Sequence, residues 1–136
     1  MTSDGGTYKL PIQLDQRNEM TIDLDEVRNS DKETYLRALR AVKRKRVVKF
    51  TFMPSGMVVW GVYSKKREKL YLIIPDLYCS CPGFLMNVVM TRRKKYCYHM
   101  VAQKLAEKNG IYEEEILSDN EYLSFLNKIK RYITSV

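Results

Sequence analysis

The sequence is poor in the residues that build disulfide frameworks, flexible linkers and membrane spans. Its 136 residues include three cysteines, one histidine, four prolines and six glycines. Three cysteines cannot all pair within one chain, so we expect a reducing, intracellular setting without a disulfide scaffold. No apolar run approaches the roughly 18 residues of a transmembrane helix, and the polar Met1–Tyr8 lacks the pattern of a signal peptide. We therefore expect a protein of the cytoplasm or nucleoid that contacts no membrane.

Positive charge is concentrated in the middle of the chain. Residues 31–109 carry eighteen basic and five acidic side chains, a net charge of +13, whereas residues 1–30 carry −3 and residues 110–136 carry −2. This excess attracts polyanions, and nucleic acid above all. The alternative is a solvated basic face that only keeps the protein in solution. Since the length suits one domain, we predict an acidic extension, 1–30, followed by a single basic domain, 31–136.

Alternating hydrophobicity predicts strands in both parts of the chain. In the acidic extension, apolar residues alternate over 8–14 and 20–24, which predicts a β-hairpin, with a weakly ordered tail as the alternative. In the basic domain, three alternating runs joined by short turns predict a small antiparallel β-meander: 48–52, 58–62 and 70–74. We expect Trp60 to pack in the core of this sheet rather than to serve as a base-stacking platform.

A capping signal predicts a helix before the meander. Ser30 and Glu33 form a capping box, so the helix should start at Asp31. Its last turn contains the basic run Lys43–Arg46, which lies at the negative end of the helix dipole. The run is therefore either a favourable helix ending or part of a phosphate-binding surface.

Two further helices are predicted after the meander. The first is expected from Cys97 to Asn109, with Gly110 as its C-terminal cap. The second, over residues 119–133, follows a capping box formed by Ser118 and Glu121. Its apolar residues recur at helical spacing and predict an inward stripe of Leu123, Leu126, Ile129 and Ile133.

All three cysteines and the single histidine lie close together in the sequence. They read Cys79-Ser80-Cys81, then fifteen residues, then Cys97-Tyr98-His99. Three thiolates and one imidazole are a ligand set that tetrahedral zinc prefers. The first pair follows the third strand and the second pair starts a helix, so the two ends of one loop can meet. Four protein ligands close the site, which predicts one structural zinc ion and no catalysis.

Three other interpretations of these residues explain less. Buried free cysteines beside a satisfied histidine would leave the paired spacing as a coincidence. A cysteine–histidine nucleophile pair would have to be free of metal, and no second histidine is present to replace His99. Iron–sulfur proteins of the CDGSH type also begin with C-x-C, but three residues separate their third cysteine from the histidine. A colourless purified protein would exclude that cluster.

The segment from Tyr78 to Ala102 resembles a SWIM zinc finger, whose pattern is C-x-C, a variable loop and C-x-H. The resemblance covers residues 47–109 with the preceding strands, and its finger core is 78–109. It implies that the zinc ligands are Cys79, Cys81, Cys97 and His99. With the periodicity above, it predicts an α+β fold in which the small antiparallel β-meander is followed by a zinc-bound strand-turn/helix unit. An N-terminal and a C-terminal helix flank this unit.

Ala102 extends the pattern to C-x-H-x-x-A, as in recombination-linked SWIM proteins such as the SWIM subunit of the eukaryotic Shu complex. The chain resembles small archaeal members of this group, which are little more than a SWIM domain. Members pair with paralogues of the RecA/RadA recombinases. The resemblance implies a non-enzymatic accessory factor in homologous recombination and DNA repair that binds such a paralogue and DNA. Competing interpretations are a stand-alone nucleic-acid-binding regulator and a protein-interaction adaptor.

Three basic segments are candidates for contacts with nucleic acid. One precedes the helix that bears His99, where the helix N-terminus adds partial positive charge. The others are the turn after the second strand and the end of the first helix. The candidate cations are Arg92, Arg93, Lys94, Lys95, Lys65, Lys66, Arg67, Lys43 and Arg44. They can neutralise phosphates, while Tyr96 or Tyr98 can stack on an unpaired base; a solvated loop tip is the alternative.

Overall fold

A five-stranded sheet forms the centre of the chain, for which a computed structural model describes residues 21–134, with side chains up to residue 129. The strands are β1 Val47–Met53, β2 Met57–Tyr63, β3 Leu70–Ile74, β4 Tyr78–Cys79 and β5 Glu113–Ser118. Their order across the sheet is β4-β3-β2-β1-β5. Strands β1 to β4 pair antiparallel, which confirms the predicted meander, whereas β5 runs parallel to β1. The sheet is therefore mixed.

Helices cover both faces of this sheet and confirm the α+β class. They are α1 Leu24–Ser30, α2 Lys32–Lys43, α3 Tyr98–Asn109 and α4 Tyr122–Thr134. Alternate β1 residues point to opposite faces, so Val47 packs with α2 and α3, whereas Val48 packs with α4. The longest described helix has 13 residues, and none in the described part of the chain is long and apolar enough to cross a bilayer.

The predicted hairpin in the acidic extension is wrong where the structure describes it. Leu24 begins helix α1 instead of lying in a strand. Asp23 caps this helix because its carboxylate accepts hydrogen bonds from the backbone N–H groups of Asp25 and Glu26. These two acidic residues also suit the positive end of the helix dipole. Residues 8–20 of the predicted hairpin lie outside the described residues.

Helix α2 begins one residue later than predicted. Asp31 is its N-cap, because the carboxylate accepts hydrogen bonds from both the backbone N–H and the hydroxyl of Thr34. Ser30, the predicted cap, is instead the last residue of α1, where its hydroxyl donates to the carbonyl of Glu26. The carboxylate of Asp31, and not the predicted hydroxyl of Ser30, therefore caps α2.

Trp60 is a core residue, as predicted. Its side chain is 7% exposed and belongs to the cluster between the sheet and helices α2 and α3. The ring of Tyr112 meets it edge-on, with the two centroids 5.0 Å apart. The Lys49 ammonium lies 5.9 Å from the Trp60 ring centroid. A tryptophan with these neighbours has little surface left for stacking on a base.

Strand β5 was not predicted from the sequence. It opens with three successive glutamates, Glu113–Glu115, which break the alternation that marks a half-buried strand. It lies at the edge of the sheet beside β1, with Lys49 opposite Glu114. Backbone pairing therefore holds a segment that has almost no buried side chain.

The C-terminal helix is present, with changes at its start and in its inward face. The capping box of Ser118 and Glu121 is confirmed, but it opens a 3₁₀ turn, and α4 follows from Tyr122. Leu123 is 72% exposed, so the predicted stripe is wrong at that position. The buried side chains are Phe125 and Ile129, which pack on β1. The side chain at position 133 lies outside those described.

Candidate metal centre

The four predicted zinc ligands meet at one buried point. Cys79 ends β4, Cys81 follows two residues later, and Cys97 and His99 stand at the start of α3. Their ligand atoms all lie within 4.8 Å of one another, and all four residues are buried. The Cys97 sulfur and His99 Nδ1 are 4.0 Å apart. The sequence therefore identified a site that folding assembles from two chain segments.

Backbone hydrogen bonds fix the first ligand pair against the sheet. The Ser80 N–H donates to the carbonyl of Leu72 at 3.0 Å, and the Ser80 hydroxyl accepts from the Leu72 N–H at 2.9 Å. The N–H of Phe84 points at the Cys81 sulfur, 3.3 Å away. A hydrogen bond donated to this sulfur favours its thiolate form, which is the form that binds metal, and orients it.

Helix α3 positions the second ligand pair. Cys97 is its N-cap, so the helix begins one residue later than predicted, whereas the predicted end is confirmed because Gly110 closes the helix in the left-handed conformation at φ 66°. Ala102, one turn beyond His99, is fully buried. A larger side chain there would push the helix away from the sheet, so packing favours an alanine at this position.

The donor set fits a tetrahedral zinc ion. Three sulfurs and one ring nitrogen are the ligands of a structural site, and Zn–S bonds of about 2.3 Å place neighbouring sulfurs about 3.8 Å apart, within the spacing observed here. Burial raises the pKa of the Cys79 thiol. Hydrogen bonds from the thiols of Cys79 and Cys97 lower the pKa of Cys81. A thiolate in this buried position calls for a cation, and the four residues would hold one zinc ion.

The loop between the two ligand pairs carries a short π-helix, Phe84–Met90, that the sequence did not reveal. The four loop cations, Arg92–Lys95, follow it. Arg93 donates to the side-chain oxygen of Asn87 at 2.8 Å within the loop. The loop thus folds back on itself instead of extending as a solvated tip.

Two of these loop cations face carboxylates of the N-terminal helices. The Lys94 ammonium lies 2.9 Å from the Thr34 hydroxyl and 3.6 Å from the Asp31 carboxylate. The Lys95 ammonium lies 3.3 Å from Glu26. These contacts dock the finger loop on α1 and α2, and they neutralise part of the charge that was predicted to meet phosphates.

Of the other predicted cations, one donates hydrogen bonds to the backbone and four are exposed to solvent. Arg67 donates to the carbonyls of Arg44 and Lys45 at 3.0 and 2.8 Å, so it caps the end of α2. Lys43 and Lys66 are exposed. Arg44 and Lys65 lie beside a small cavity, and two of the three basic segments therefore converge there.

This cavity, which we call the arginine pocket, has a volume of about 60 Å³ and is lined by Arg37, Arg40, Arg44, Arg46, Lys65 and Tyr98. Two of its five cations, Arg37 and Arg40, were not predicted from the sequence, whereas Arg46 lies in the basic run Lys43–Arg46 that was predicted. Arg37, Arg40 and Arg44 recur at the i, i+3, i+7 spacing that places residues on one helix face. That spacing indicates a shared basic face on α2, although the consecutive cations of Lys43–Arg46 are the more conspicuous feature of the sequence.

A groove connects the arginine pocket with the finger loop. Arg37 and Tyr98 also line a cavity of about 260 Å³ beside the metal ligands. Thr34 and Lys94 line both that cavity and a third one, of about 410 Å³, which reaches Arg93. Because neighbouring cavities share lining residues, the three lie side by side along α2, and we call this row of cavities the groove.

The two tyrosines that were predicted to stack on a base have different surroundings. The Arg37 guanidinium covers the Tyr98 ring at 4.2 Å from its centroid, and the His99 ring lies 4.1 Å from the same ring. Tyr98 is thus occupied within the protein. Tyr96 is half-buried and lines the groove next to Lys95.

Comparison with known proteins supports the zinc-finger assignment. The chain is 29% identical over 98 residues to the zinc finger SWIM domain-containing protein 7 homolog of Dictyostelium discoideum. The match covers 72% of this chain and 63% of that protein, so it spans less than two thirds of the relative's length. No family model and no solved structure matches. The relative and the four-residue cluster confirm the predicted resemblance to SWIM zinc-finger proteins and a single zinc site.

Proposed function

We propose that this chain is a non-enzymatic accessory factor in homologous recombination that binds DNA and a RecA/RadA-family paralogue. The observation that carries the proposal is the buried cluster of Cys79, Cys81, Cys97 and His99 in a chain similar to a SWIM zinc-finger protein. The C-x-H-x-x-A extension at Ala102 connects it with the recombination-linked members that it resembles.

The zinc centre acts by holding structure in this proposal, not by catalysis. Four protein ligands leave no coordination position for water, which a catalytic zinc ion requires. The short π-helix and the loop after it bury almost no apolar surface of their own. Metal binding therefore supplies much of the free energy that orders residues 79–99.

The basic groove supports the DNA-binding part. Residues 31–109 carry a net charge of +13, and the groove along α2 is bordered by the arginine pocket at one end and by Arg93 at the other. The cavity that reaches Arg93 is also lined by Glu26 and Asp31, so the positive charge is strongest at the end with the arginine pocket. Positive charge in a concavity attracts a polyanionic strand and raises its local concentration.

An apolar face on the finger supports the protein-binding part. Four side chains of the π-helix segment are exposed by about half or more: Leu85 54%, Met86 51%, Val89 49% and Met90 64%. Tyr78, on β4, packs edge-on against Phe84 at the base of this segment. Contiguous apolar surface of this kind marks a site of protein–protein contact, and methionines suit such a surface because they adapt their shape.

The test is affinity purification of the tagged chain from its own cells, with and without nuclease, followed by mass spectrometry. We expect a RecA-family paralogue that survives nuclease and is lost with Leu85→Ser/Met90→Ser. The matched control, Leu36→Ser/Leu123→Ser, also removes two exposed apolar side chains, but on helices α2 and α4. It should keep the partner.

A stand-alone nucleic-acid-binding regulator is the second candidate. It is favoured by the five cations of the arginine pocket, none of which forms an ion pair within the described residues. Loss of every partner on nuclease treatment would replace the recombination proposal with this one. A nuclease-resistant partner unrelated to recombinases would favour an adaptor.

A further inference from the structure

We propose that the arginine pocket binds a phosphate group of a nucleic-acid strand. This rests on the proposed DNA-binding function and deepens it, because it names the residues that receive the backbone. The pocket lies between the end of α2, the turn after β2 and the start of α3. Its most buried cation is Arg46.

Arg46 is a buried cation whose hydrogen-bonding capacity is largely unused. It is 5% exposed, and its Nη2 donates to the Tyr98 hydroxyl at 3.2 Å. Its Nε and Nη1 atoms are buried and have no hydrogen-bond partner among the residues that the structure describes. Burying a charged group without partners is costly unless a counter-charge completes it. An oxyanion in the pocket would supply that counter-charge.

The backbone holds Arg46 in this position. Its N–H donates to the carbonyl of Ala41, and its carbonyl accepts from the N–H of Tyr63 at 2.8 Å. Lys45 before it has φ 55°, the left-handed conformation that ends α2 and turns the chain into β1. The guanidinium therefore belongs to a fixed part of the fold, so little ordering is needed when an anion binds.

The surroundings of the pocket favour an anion. Within the described part of the chain, no carboxylate lines the pocket and its five cations make no ion pair. The end of α2 nearby would repel an anion through its free carbonyls. Arg67 removes this effect, because it donates to the carbonyls of Arg44 and Lys45.

Size and continuity indicate which anion fits. A volume of about 60 Å³ holds a few water molecules, and so has room for one phosphate group. Arginine forks suit phosphate oxygens because they donate two parallel hydrogen bonds. Beyond Arg37 and Tyr98 the groove continues to Lys94, which gives the rest of a strand a path that a free phosphate ion would not need.

The test measures binding of a fluorescein-labelled oligodeoxythymidine to the zinc-loaded full chain by anisotropy, over a range of salt concentrations. Arg40→Gln/Arg44→Gln removes two exposed pocket cations and should weaken binding about tenfold. The slope of log affinity against log salt should fall by about 1.4, because each contact with a single strand contributes about 0.7. Lys108→Gln/Lys128→Gln makes the same charge change on exposed lysines of α3 and α4 and should leave the slope nearly unchanged.

A second readout separates failure of the pocket from failure of the proposed function. The Nε–H resonance of Arg46 is followed by NMR while the oligonucleotide, or inorganic phosphate alone, is added. We expect both to shift it, the oligonucleotide at far lower concentration.

Four results would overturn the proposal in different ways. Oligonucleotide binding that is equal in the pocket and control variants would leave DNA binding standing and remove the pocket from it. A shift with inorganic phosphate but none with the oligonucleotide would assign the pocket to a free anion. No shift with either probe would leave Arg46 as a purely structural cation. No binding by the unmodified chain would overturn the DNA-binding function itself.

Discussion

The two cationic regions of the groove differ in what their charges already contact. At the finger loop, Lys94 and Lys95 lie within 3.6 Å of carboxylates from α2 and α1. In the arginine pocket, the five cations face one another and a tyrosine, and within the described residues they have no carboxylate partner. The four consecutive cations are the more conspicuous in the sequence, but they are the less available.

This difference shows that local charge density in a sequence does not rank binding residues. The consecutive cations dock a loop that has little core of its own, so part of their charge stabilises the fold. The pocket cations come from α2, the residues before β1 and the turn after β2, and only the fold brings them together. Both regions also contact the metal-bound finger. Lys94 and Lys95 belong to its loop, and Arg46 donates a hydrogen bond to Tyr98 at the start of α3.

The largest expected effect comes from Cys97→Ser, which should disrupt both regions at once. Loss of one ligand should abolish zinc binding, because the remaining three leave an open and weaker site. The melting temperature should fall by more than about 10 °C, since structural zinc contributes several kcal/mol in a domain of this size. Zinc content and thermal unfolding followed by circular dichroism measure both.

Wild-type protein treated with a chelator is the matched control and should behave like the variant. If Cys97→Ser kept its full zinc content and an unchanged melting temperature, the structural role of the metal would be contradicted.

An intermediate effect is expected when Arg92, Arg93, Lys94 and Lys95 are all replaced by alanine. Because Lys94 and Lys95 already contact carboxylates, we expect two lost phosphate contacts rather than four. The salt slope for the oligonucleotide should fall by about 1.4. Per cation removed, this is half the effect expected for Arg40→Gln/Arg44→Gln.

The same titration supplies the contradicting results. A fall of about 2.8 would mean that the ion pairs open on binding and that the two regions are equivalent. An unchanged slope would exclude the finger loop from the DNA-binding surface.

The smallest expected effect is a gain from Asp31→Asn, which frees Lys94. Burial opposes ionisation of Asp31, but hydrogen bonds from Thr34 and the charge of Lys94 lower its pKa, so the ion pair is present at neutral pH. Removing the carboxylate charge should tighten oligonucleotide binding about two- to threefold at low salt. Stability should change by less than about 0.5 kcal/mol, because asparagine caps a helix as well as aspartate does.

The control for this substitution is Asp25→Asn, which removes the same charge from an exposed pair with Arg28. Equal gains in the two variants would mean that net charge, and not release of Lys94, is responsible.

The sequence predicted the elements whose signals are local. Apolar residues recur at every second position in strands β1 to β3, Gly110 ends α3, and the four scarce ligand residues stand in two close pairs. It missed β5, because Glu113–Glu115 are held by backbone pairing with β1 and not by burial of side chains. Pairing with a strand some 65 residues earlier leaves no periodic trace.

The burial of Arg46 in the arginine pocket is a second feature that the sequence does not predict. Arg46 stands in a basic run, and nothing in that run distinguishes the one side chain that folds inward from its exposed neighbours. Its burial follows from the left-handed turn at Lys45, and such a turn is rarely predicted at a lysine. The metal ligands were found because their residue types are scarce, whereas arginine and lysine are abundant here.

The metal centre is the central claim, because the finger carries Lys94 and Tyr98 into the groove. X-ray absorption spectroscopy of the purified chain, with its metal content, tests this most directly. The account predicts one zinc ion per chain, bound by three sulfurs and one imidazole nitrogen of Cys79, Cys81, Cys97 and His99. Iron with inorganic sulfide, or zinc bound mainly by oxygen, would contradict it.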